Sequence, residues 1–246
     1  MLWAYPLIMG AAVATGVVVS RRTQRPLPLD RWERLAIGLG AFCGGMIGAK
    51  LPFVLADWDG FLSGAAWFDN GKTLVCGLVG GYFGVEAAKW AMHVRVKTGD
   101  SFAAPVAAAV AVGRLACFCG GCCFGTVTTL PWGVDFGDGL RRHPTQLYEF
   151  AFHATAAVML YQLQHRGLVR GQLIKLYIIA YLLYRFGTEY IRPEPRLWLH
   201  LTAYQWAAAA FVPVFVALWW YDRRHAATVR PTPRELFDVQ VLRGQP

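Results

Sequence analysis

Seven long apolar segments, separated by short polar connections, dominate the pattern of this chain. They run over Trp3–Ser20, Leu35–Trp58, Thr73–His93, Ser101–Cys119, Gln146–Gln164, Gln172–Ile191 and Tyr204–Tyr221. Each is close to the ~20 residues that an α-helix needs to cross the hydrocarbon of a bilayer. Lipid offers the backbone no hydrogen-bond partners, so helices are the expected form. The pattern predicts an all-α polytopic membrane protein with about seven transmembrane helices in one domain, residues 1–222, and a cytoplasmic tail, residues 223–246.

Positive charge alternates between the connections and predicts the orientation. The first connection carries five arginines, the third carries Arg95 and Lys97, and the fifth carries Arg166 and Arg170. The second connection is poorer in cations, and the tail opens on further arginines such as Arg223. Because cytoplasmic loops are enriched in Lys and Arg, we expect the N-terminus outside and the C-terminus in the cytoplasm.

Composition supports a membrane protein and argues against nucleic-acid binding. Hydrophobic residues make up 56% of the chain and charged residues 16%, whereas soluble domains carry about 25% charged residues. The net charge of +9 lies in short runs between apolar segments and forms no basic stripe with interleaved aromatics. No cleavable signal is evident, since the first apolar segment lacks a basic leader. Small residues at Gly44–Ala49 and Gly77–Gly81 predict close helix contacts.

Cations also occur in the fourth and sixth connections, which the charge pattern places outside. These connections contain Arg141, Arg142, His143, Arg192 and Arg196. One interpretation is anchoring in the headgroup region by long side chains. The other is a binding site for an anionic headgroup, because guanidinium is a natural bidentate partner of phosphate.

A polar stripe marks the sixth apolar segment. Tyr177, Tyr181, Arg185 and Glu189 recur every four residues, so they share one face of a helix. Ionisable groups in a membrane segment usually face a polar cavity, because each costs roughly 2.5–3.5 kcal/mol on insertion. A purely structural Arg185–Glu189 pair is the alternative.

Further candidates lie at the ends of the fourth and fifth segments. Glu149 and His153 are four residues apart, and Thr145 is expected to cap the helix that contains them. Arg114 precedes a run rich in Gly and Cys, which predicts a helix end that lines a cavity.

Four of the six cysteines cluster and leave three interpretations open. They are Cys117, Cys119, Cys122 and Cys123. Their spacing matches usual zinc sites poorly; a disulfide at an oxidising outer face is possible; free thiols, packed or reactive beside Arg114, are the third interpretation.

Taken together, these motifs resemble those of prolipoprotein diacylglyceryl transferases, which are bacterial inner-membrane enzymes. The likeness runs from about Trp3 to Trp198. Its blocks are Tyr5, Gly113-Arg114 with Gly125, Arg142 to Glu149, Gly167 to Gly171, Tyr181 to Phe186 with Glu189, and Arg192-Pro193-Glu194.

The resemblance implies transfer of a diacylglyceryl group from phosphatidylglycerol to the lipobox cysteine of a prolipoprotein. Glycerol phosphate leaves, and no metal or other cofactor is needed. The implied partners are phosphatidylglycerol, a prolipoprotein and membrane lipids. The implied catalytic residues are His143, Arg185 and Tyr181, and the implied substrate-binding residues are Arg114, Arg142, Tyr5, Tyr148, Glu149 and Glu189. Arginines would stabilise the phosphate leaving group, His143 is the titratable candidate for the acceptor thiol, and Tyr181 would orient the headgroup.

The sequence departs from the family pattern at two places. Cys117, Cys119 and Gly121 occupy positions where the family carries Asn and Glu, and the family's histidine in the third segment is absent near Val75 and Cys76. Two further hypotheses therefore stay open: the same lipid donor with a different acceptor, or a non-catalytic membrane protein that binds or transports lipid.

Overall fold

Helices form most of the structure, a computed structural model that describes residues 4–23, 27–67, 71 and 73–226, the side chains of Trp58 and Ala226 excepted. The α-helices are α1 (Ala4–Thr23), α2 (Arg31–Ala56), α3 (Trp58–Ser63), α4 (Leu74–Ala91), α5 (Gly99–Cys119), α6 (Thr145–His165), α7 (Leu173–Thr188) and α8 (Ala203–Ala226). Strands β1 (Val134–Asp135) and β2 (Arg141–Arg142) form a small antiparallel ribbon. Short 3₁₀ turns cover Ala65–Trp67, Glu189–Ile191 and Trp198–His200.

Each predicted apolar segment corresponds to one long helix, and the differences lie at the ends. Helix α2 begins four residues early, at Arg31, because Asp30 and Glu33 form a reciprocal capping box. Helix α4 begins after Thr73, whose hydroxyl accepts a hydrogen bond from the Cys76 amide. Helix α8 continues to Ala226, past the predicted domain boundary at residue 222. The rest of the predicted tail lies outside the described residues.

Four of the described helices are long and apolar enough to cross a membrane: α1, α2, α5 and α8. Helices α1 and α2 bury only 6% of their apolar windows, and side chains such as Leu7 and Val13 project outward from α1 with 72% and 66% of their surface exposed. Exposed apolar surface on this scale suits contact with lipid. Helix α7 has 16 residues and so spans about 24 Å, less than the ~30 Å hydrocarbon thickness.

Helices α2 and α4 touch along a seam of glycines, as the small-residue runs predicted. A Cβ added at Gly44 would lie 2.4 Å from the carbonyl oxygen of Gly80, and one added at Gly48 would lie 2.3 Å from that of Cys76. Backbone therefore packs directly on backbone, which only glycine permits at these positions.

We expect Gly44→Ala to lower the melting temperature of the detergent-solubilised protein, because its methyl group would force the two backbones apart. Overpacking of this kind costs typically 1–3 kcal/mol. Gly38→Ala on the same helix is the matched control, since a Cβ there meets nothing within 4 Å. Equal melting temperatures for the two variants would contradict the seam.

The connections at one end of the helices are joined to each other through backbone hydrogen bonds. The Gly125 amide donates to the His143 carbonyl at 2.8 Å, and the Thr126 amide donates to the Ile191 carbonyl at 2.8 Å. The His143 amide donates back to the Thr126 carbonyl at 3.0 Å. These bonds bring the end of α5, the start of α6 and the end of α7 to one place.

Candidate active site

A single buried carboxylate, Glu149 on α6, gathers three guanidinium groups. Arg185 Nη1 donates to it at 2.9 Å, Arg114 Nη2 lies 2.5 Å from it, and Arg192 also pairs with it. Glu149 is 1% exposed and Arg185 and Arg192 are 4% and 6% exposed. Helices α5 and α7 and the segment after α7 thus each supply one cation to a carboxylate from α6.

The stripe on α7 faces inward, as its spacing predicted. The Tyr181 hydroxyl lies 3.4 Å from Glu149 Oε2, and the Tyr177 hydroxyl lies 2.9 Å from His153 Nδ1. Glu149 and His153 on α6 therefore contact the Tyr177, Tyr181 and Arg185 stripe on α7. Glu189 follows the helix in a 3₁₀ turn and forms an ion pair with Arg185, Nε to Oε2, at 2.9 Å.

Each of the three arginines has a hydrogen-bond donor that no described residue uses. Among the described residues, the buried Nε–H groups of Arg114, Arg185 and Arg192 have no hydrogen-bond acceptor. For Arg185 this holds although Glu189 is close, because the contact is not aligned for a hydrogen bond. Buried donors are normally satisfied, so three unsatisfied guanidinium donors around one point favour a site for an anionic group.

A cavity of about 280 Å³ opens beside this cluster. Its charged lining consists of the three arginines and Glu194, while Glu149 and Glu189 are absent from the lining. Its lining residues are Thr73, Leu74, Val75, Arg114, Cys123, Phe124, Tyr181, Arg185, Arg192, Pro193, Glu194 and Tyr204. The lining is therefore rich in cations and partly apolar, which fits a lipid headgroup with the start of its glycerol backbone.

The loop after α5 is held to the start of α6. The Thr145 hydroxyl donates to the Cys123 carbonyl at 2.7 Å, and Gln146 Nε2 donates to the Cys122 carbonyl at 2.6 Å. The prediction that Thr145 caps α6 was wrong, because Pro144 occupies the cap position and no side chain caps this helix. The hydroxyl instead satisfies a carbonyl of the cysteine loop, a partner that lies 22 residues away in sequence.

Three of the clustered cysteines face each other. The sulfur atoms of Cys117, Cys122 and Cys123 all lie within 4.8 Å of one another, and all six cysteines are free thiols. A hydrogen bond from the Cys117 thiol lowers the pKa of Cys123 to about 5, with Arg114 and Arg192 adding to the effect and burial opposing it. Cys123 also lines the cavity, so the run of glycines and cysteines after Arg114 reaches the cavity as the sequence predicted.

Besides Glu149 and Glu189, four of the predicted site residues lie outside the cavity lining: Arg142, His143, Tyr148 and Tyr5. Arg142 pairs with Asp138 at 2.6 Å and stacks on the Phe124 ring at 5.0 Å, so it reaches the lining only through Phe124. The hydrogen bond from Arg142 lowers the pKa of Asp138 below its usual range. His143 Nδ1 lies 3.4 Å from the Tyr148 hydroxyl, and that hydroxyl accepts a hydrogen bond from Trp132 Nε1, two residues before β1, at 2.8 Å.

Tyr5 lies at the outer edge of the cysteine loop. A Cβ added at Gly120 would lie 3.2 Å from the Tyr5 ring, so this ring covers the turn that ends α5. Val75, near which the resemblance leads one to expect a histidine, does line the cavity. The departure from the family pattern thus falls within the site itself.

Comparison with known proteins decides the family. The family model described as prolipoprotein diacylglyceryl transferase matches residues 2–221. The chain belongs to this family. A relative from Clostridium perfringens, phosphatidylglycerol–prolipoprotein diacylglyceryl transferase 2, is 24% identical over 233 residues, 88% of each chain. The enzyme of the same name from Coxiella burnetii (strain Dugway 5J108-111) is 29% identical over 236 residues, again 88% of each chain. That of Cupriavidus metallidurans is 32% identical over 165 residues, 61% of each chain.

Sequence reasoning left several residues out of the candidate site, among them Arg192 and Cys123. Arg192 was assigned only to a family motif, although it was already a cation in a connection predicted to lie outside. Cys123 was treated as one of four equivalent cysteines, and nothing in the spacing separates it from Cys119. Only the fold shows that the first contacts Glu149 and the second lines the cavity.

Proposed function

We propose that this protein transfers the diacylglyceryl group of phosphatidylglycerol to the lipobox cysteine of a prolipoprotein and releases glycerol phosphate. The observation that carries the proposal is the convergence of Arg114, Arg185 and Arg192 on one cavity, with an unsatisfied Nε–H on each. The named relatives, which are phosphatidylglycerol–prolipoprotein diacylglyceryl transferases, support the same reaction.

The arginines act on the leaving group. When the acceptor sulfur attacks the glyceryl carbon, the carbon–oxygen bond breaks and negative charge grows on the phosphate. Fixed donors that are already in place stabilise this charge at no cost of reorganisation. Glu149 holds the guanidinium groups together before the donor binds, and Glu189 orients Arg185.

Tyr181, Tyr204 and the apolar part of the lining position the donor. Tyr181 lines the cavity and contacts Glu149, so its hydroxyl is placed to bind a headgroup oxygen beside the arginines. Besides Glu149 and Glu189, four predicted site residues lie outside the cavity lining. We assign them to the approach of the lipid and the acceptor: Arg142, His143, Tyr148 and Tyr5.

In this proposal all seven long helices cross the bacterial inner membrane. The N-terminus lies outside, and the cysteine loop and cavity lie towards the outer face of the membrane. The charge pattern of the connections supports this orientation. The shortness of α7 is offset by the 3₁₀ turn that continues it.

A second function keeps the lipid donor and changes the acceptor. The observation that favours it is that Val75, near which the resemblance leads one to expect a histidine, lines the cavity, and that the departures at Cys117, Cys119 and Gly121 lie in the run that brings Cys123 to it. A small thiol or a hydroxyl compound would then take the diacylglyceryl group.

Purified protein incubated with phosphatidylglycerol and a lipobox peptide tests both. A diacylglyceryl adduct on the peptide thiol with equimolar glycerol phosphate is the expected result, and Arg185→Ala should form both products far more slowly. Glycerol phosphate without an adduct would favour the second function. Neither product, from protein with an unaltered melting temperature, would overturn both and favour lipid binding or transport without catalysis.

A further inference from the structure

Three thiols beside the cavity have no role in the reaction as described so far. The sulfur atoms of Cys117, Cys122 and Cys123 lie within 4.8 Å of one another, whereas Cys119, in the same run, is not part of the group. An ion bound 2.3 Å from each of three sulfurs in tetrahedral geometry, with a fourth position left open, would set them about 3.8 Å apart. Small rotations of the side chains are therefore enough to form a three-sulfur site.

The backbone holds this arrangement at a conformational cost. Cys123 has φ +62°, a left-handed conformation that costs a residue with a Cβ roughly 1–2 kcal/mol and that glycine adopts freely. The carbonyls of Cys122 and Cys123 are fixed by Gln146 and Thr145. The strained position therefore carries a side chain that is directed at two others, which is the preorganisation that a metal site requires.

The surrounding charges suit a metal bound by thiolates. A divalent cation with three thiolates carries a net charge of −1. Arg114 is three residues before Cys117 on α5, and Arg192 Nη1 donates to the Cys123 carbonyl at 3.1 Å. Cations around the ligands offset the excess negative charge and orient the loop.

The acceptor thiol must lose a proton at the cavity, whose lining carries Glu194 and Cys123 as titratable acids besides the tyrosines. Among the described residues that line it there is no histidine, and His143 lies outside the lining. A free thiol has a pKa of about 8.5 and must be ionised to attack. A thiol that coordinates a metal ion loses its proton, and a zinc site with three protein ligands keeps a fourth position open for substrate.

We propose that Cys117, Cys122 and Cys123 bind a thiophilic divalent cation of the zinc class, whose fourth position faces the cavity and takes the acceptor thiol as a thiolate. The second half of this proposal rests on the proposed transferase. The acceptor S–H bond breaks and its proton passes to water as the metal–sulfur bond forms. The sulfur then forms a bond to the glyceryl carbon, and the breaking carbon–oxygen bond leaves its electron pair on glycerol phosphate.

Cobalt(II) titration of the purified, reduced protein tests the binding half without any reaction. We expect one equivalent to give sulfur-to-cobalt charge-transfer absorption that zinc(II) abolishes. Cys117→Ser, Cys122→Ser and Cys123→Ser should each weaken binding by at least about 100-fold. Cys119→Ser is the matched control and should bind as the unchanged protein does. No stoichiometric absorption, equal absorption in all four variants, or a disulfide within the group that persists in reductant would overturn the site.

Chelation tests the catalytic half. Removal of the metal should lower the rate of peptide adduct formation at least about 100-fold, because the acceptor thiol would no longer be held as a thiolate. Addition of zinc(II) should restore the rate. Adduct formation that is insensitive to chelator, in protein that binds cobalt, would overturn the acceptor role and leave the transferase standing. Cobalt binding without an adduct under any condition would instead overturn the proposed function and leave the metal site.

Discussion

Arg185→Ala should lower the rate of diacylglyceryl transfer by about 10²–10³-fold, the loss typical when one fixed donor to a developing negative charge is removed. Arg185 lines the cavity, pairs with Glu149 at 2.9 Å and stacks on the Tyr204 ring at 4.4 Å. Its guanidinium therefore has a fixed place before the donor binds, and alanine removes charge and geometry together.

Two further variants separate charge from geometry. Arg185→Lys keeps the charge but not the planar fork, so we expect a rate between those of the unchanged protein and Arg185→Ala. Arg166→Ala removes an exposed arginine beyond the end of α6 and should leave the rate as it is. The measurement is the initial rate of adduct formation at saturating phosphatidylglycerol, with melting temperatures for all three. If Arg185→Ala and Arg166→Ala react equally fast, the cavity is not where the phosphate leaves.

Glu149→Ala is expected to have the largest effect on folding. The variant leaves Arg114, Arg185 and Arg192 close together and buried without their shared carboxylate. Removing one partner of a buried ion pair costs about 3–5 kcal/mol, because the remaining charge is uncompensated. Three cations around one lost anion belong at the upper end of that range.

Glu149→Gln provides the comparison of equal size. It keeps the volume and an oxygen that accepts a hydrogen bond, yet it loses the charge, so its melting temperature should fall between those of the unchanged protein and Glu149→Ala. Asp59→Ala, which removes an exposed acid on α3, is the control for loss of a negative charge as such. Thermal unfolding in detergent, with and without phosphatidylglycerol, measures all four proteins. A Glu149→Ala protein as stable as Asp59→Ala would show that the cluster does not depend on this carboxylate.

Anionic ligands should partly rescue the Glu149 variants. A bound phosphate supplies the counter-charge that the carboxylate no longer provides, and a ligand that binds only the folded state raises stability by more the further its concentration exceeds its Kd. Phosphatidylglycerol is therefore expected to raise the melting temperature of Glu149→Gln by more than that of the unchanged protein.

The sequence alone determined the helical segments and the face that each presents. Hydrophobic runs placed the long helices, and the four-residue spacing of Tyr177, Tyr181 and Arg185 placed them on one side of α7, because helical periodicity is a local property. The glycine runs of α2 and α4 likewise predicted close helix contacts, because small residues allow two helix backbones to approach whichever helix is the neighbour.

The tertiary structure decided which distant groups meet. Arg192 reaches Glu149, and Cys123 reaches the cavity, only because backbone bonds between Gly125, His143 and the segment after α7 draw three connections together. Such contacts depend on how loops close across tens of residues, and no short-range pattern in a sequence encodes that closure.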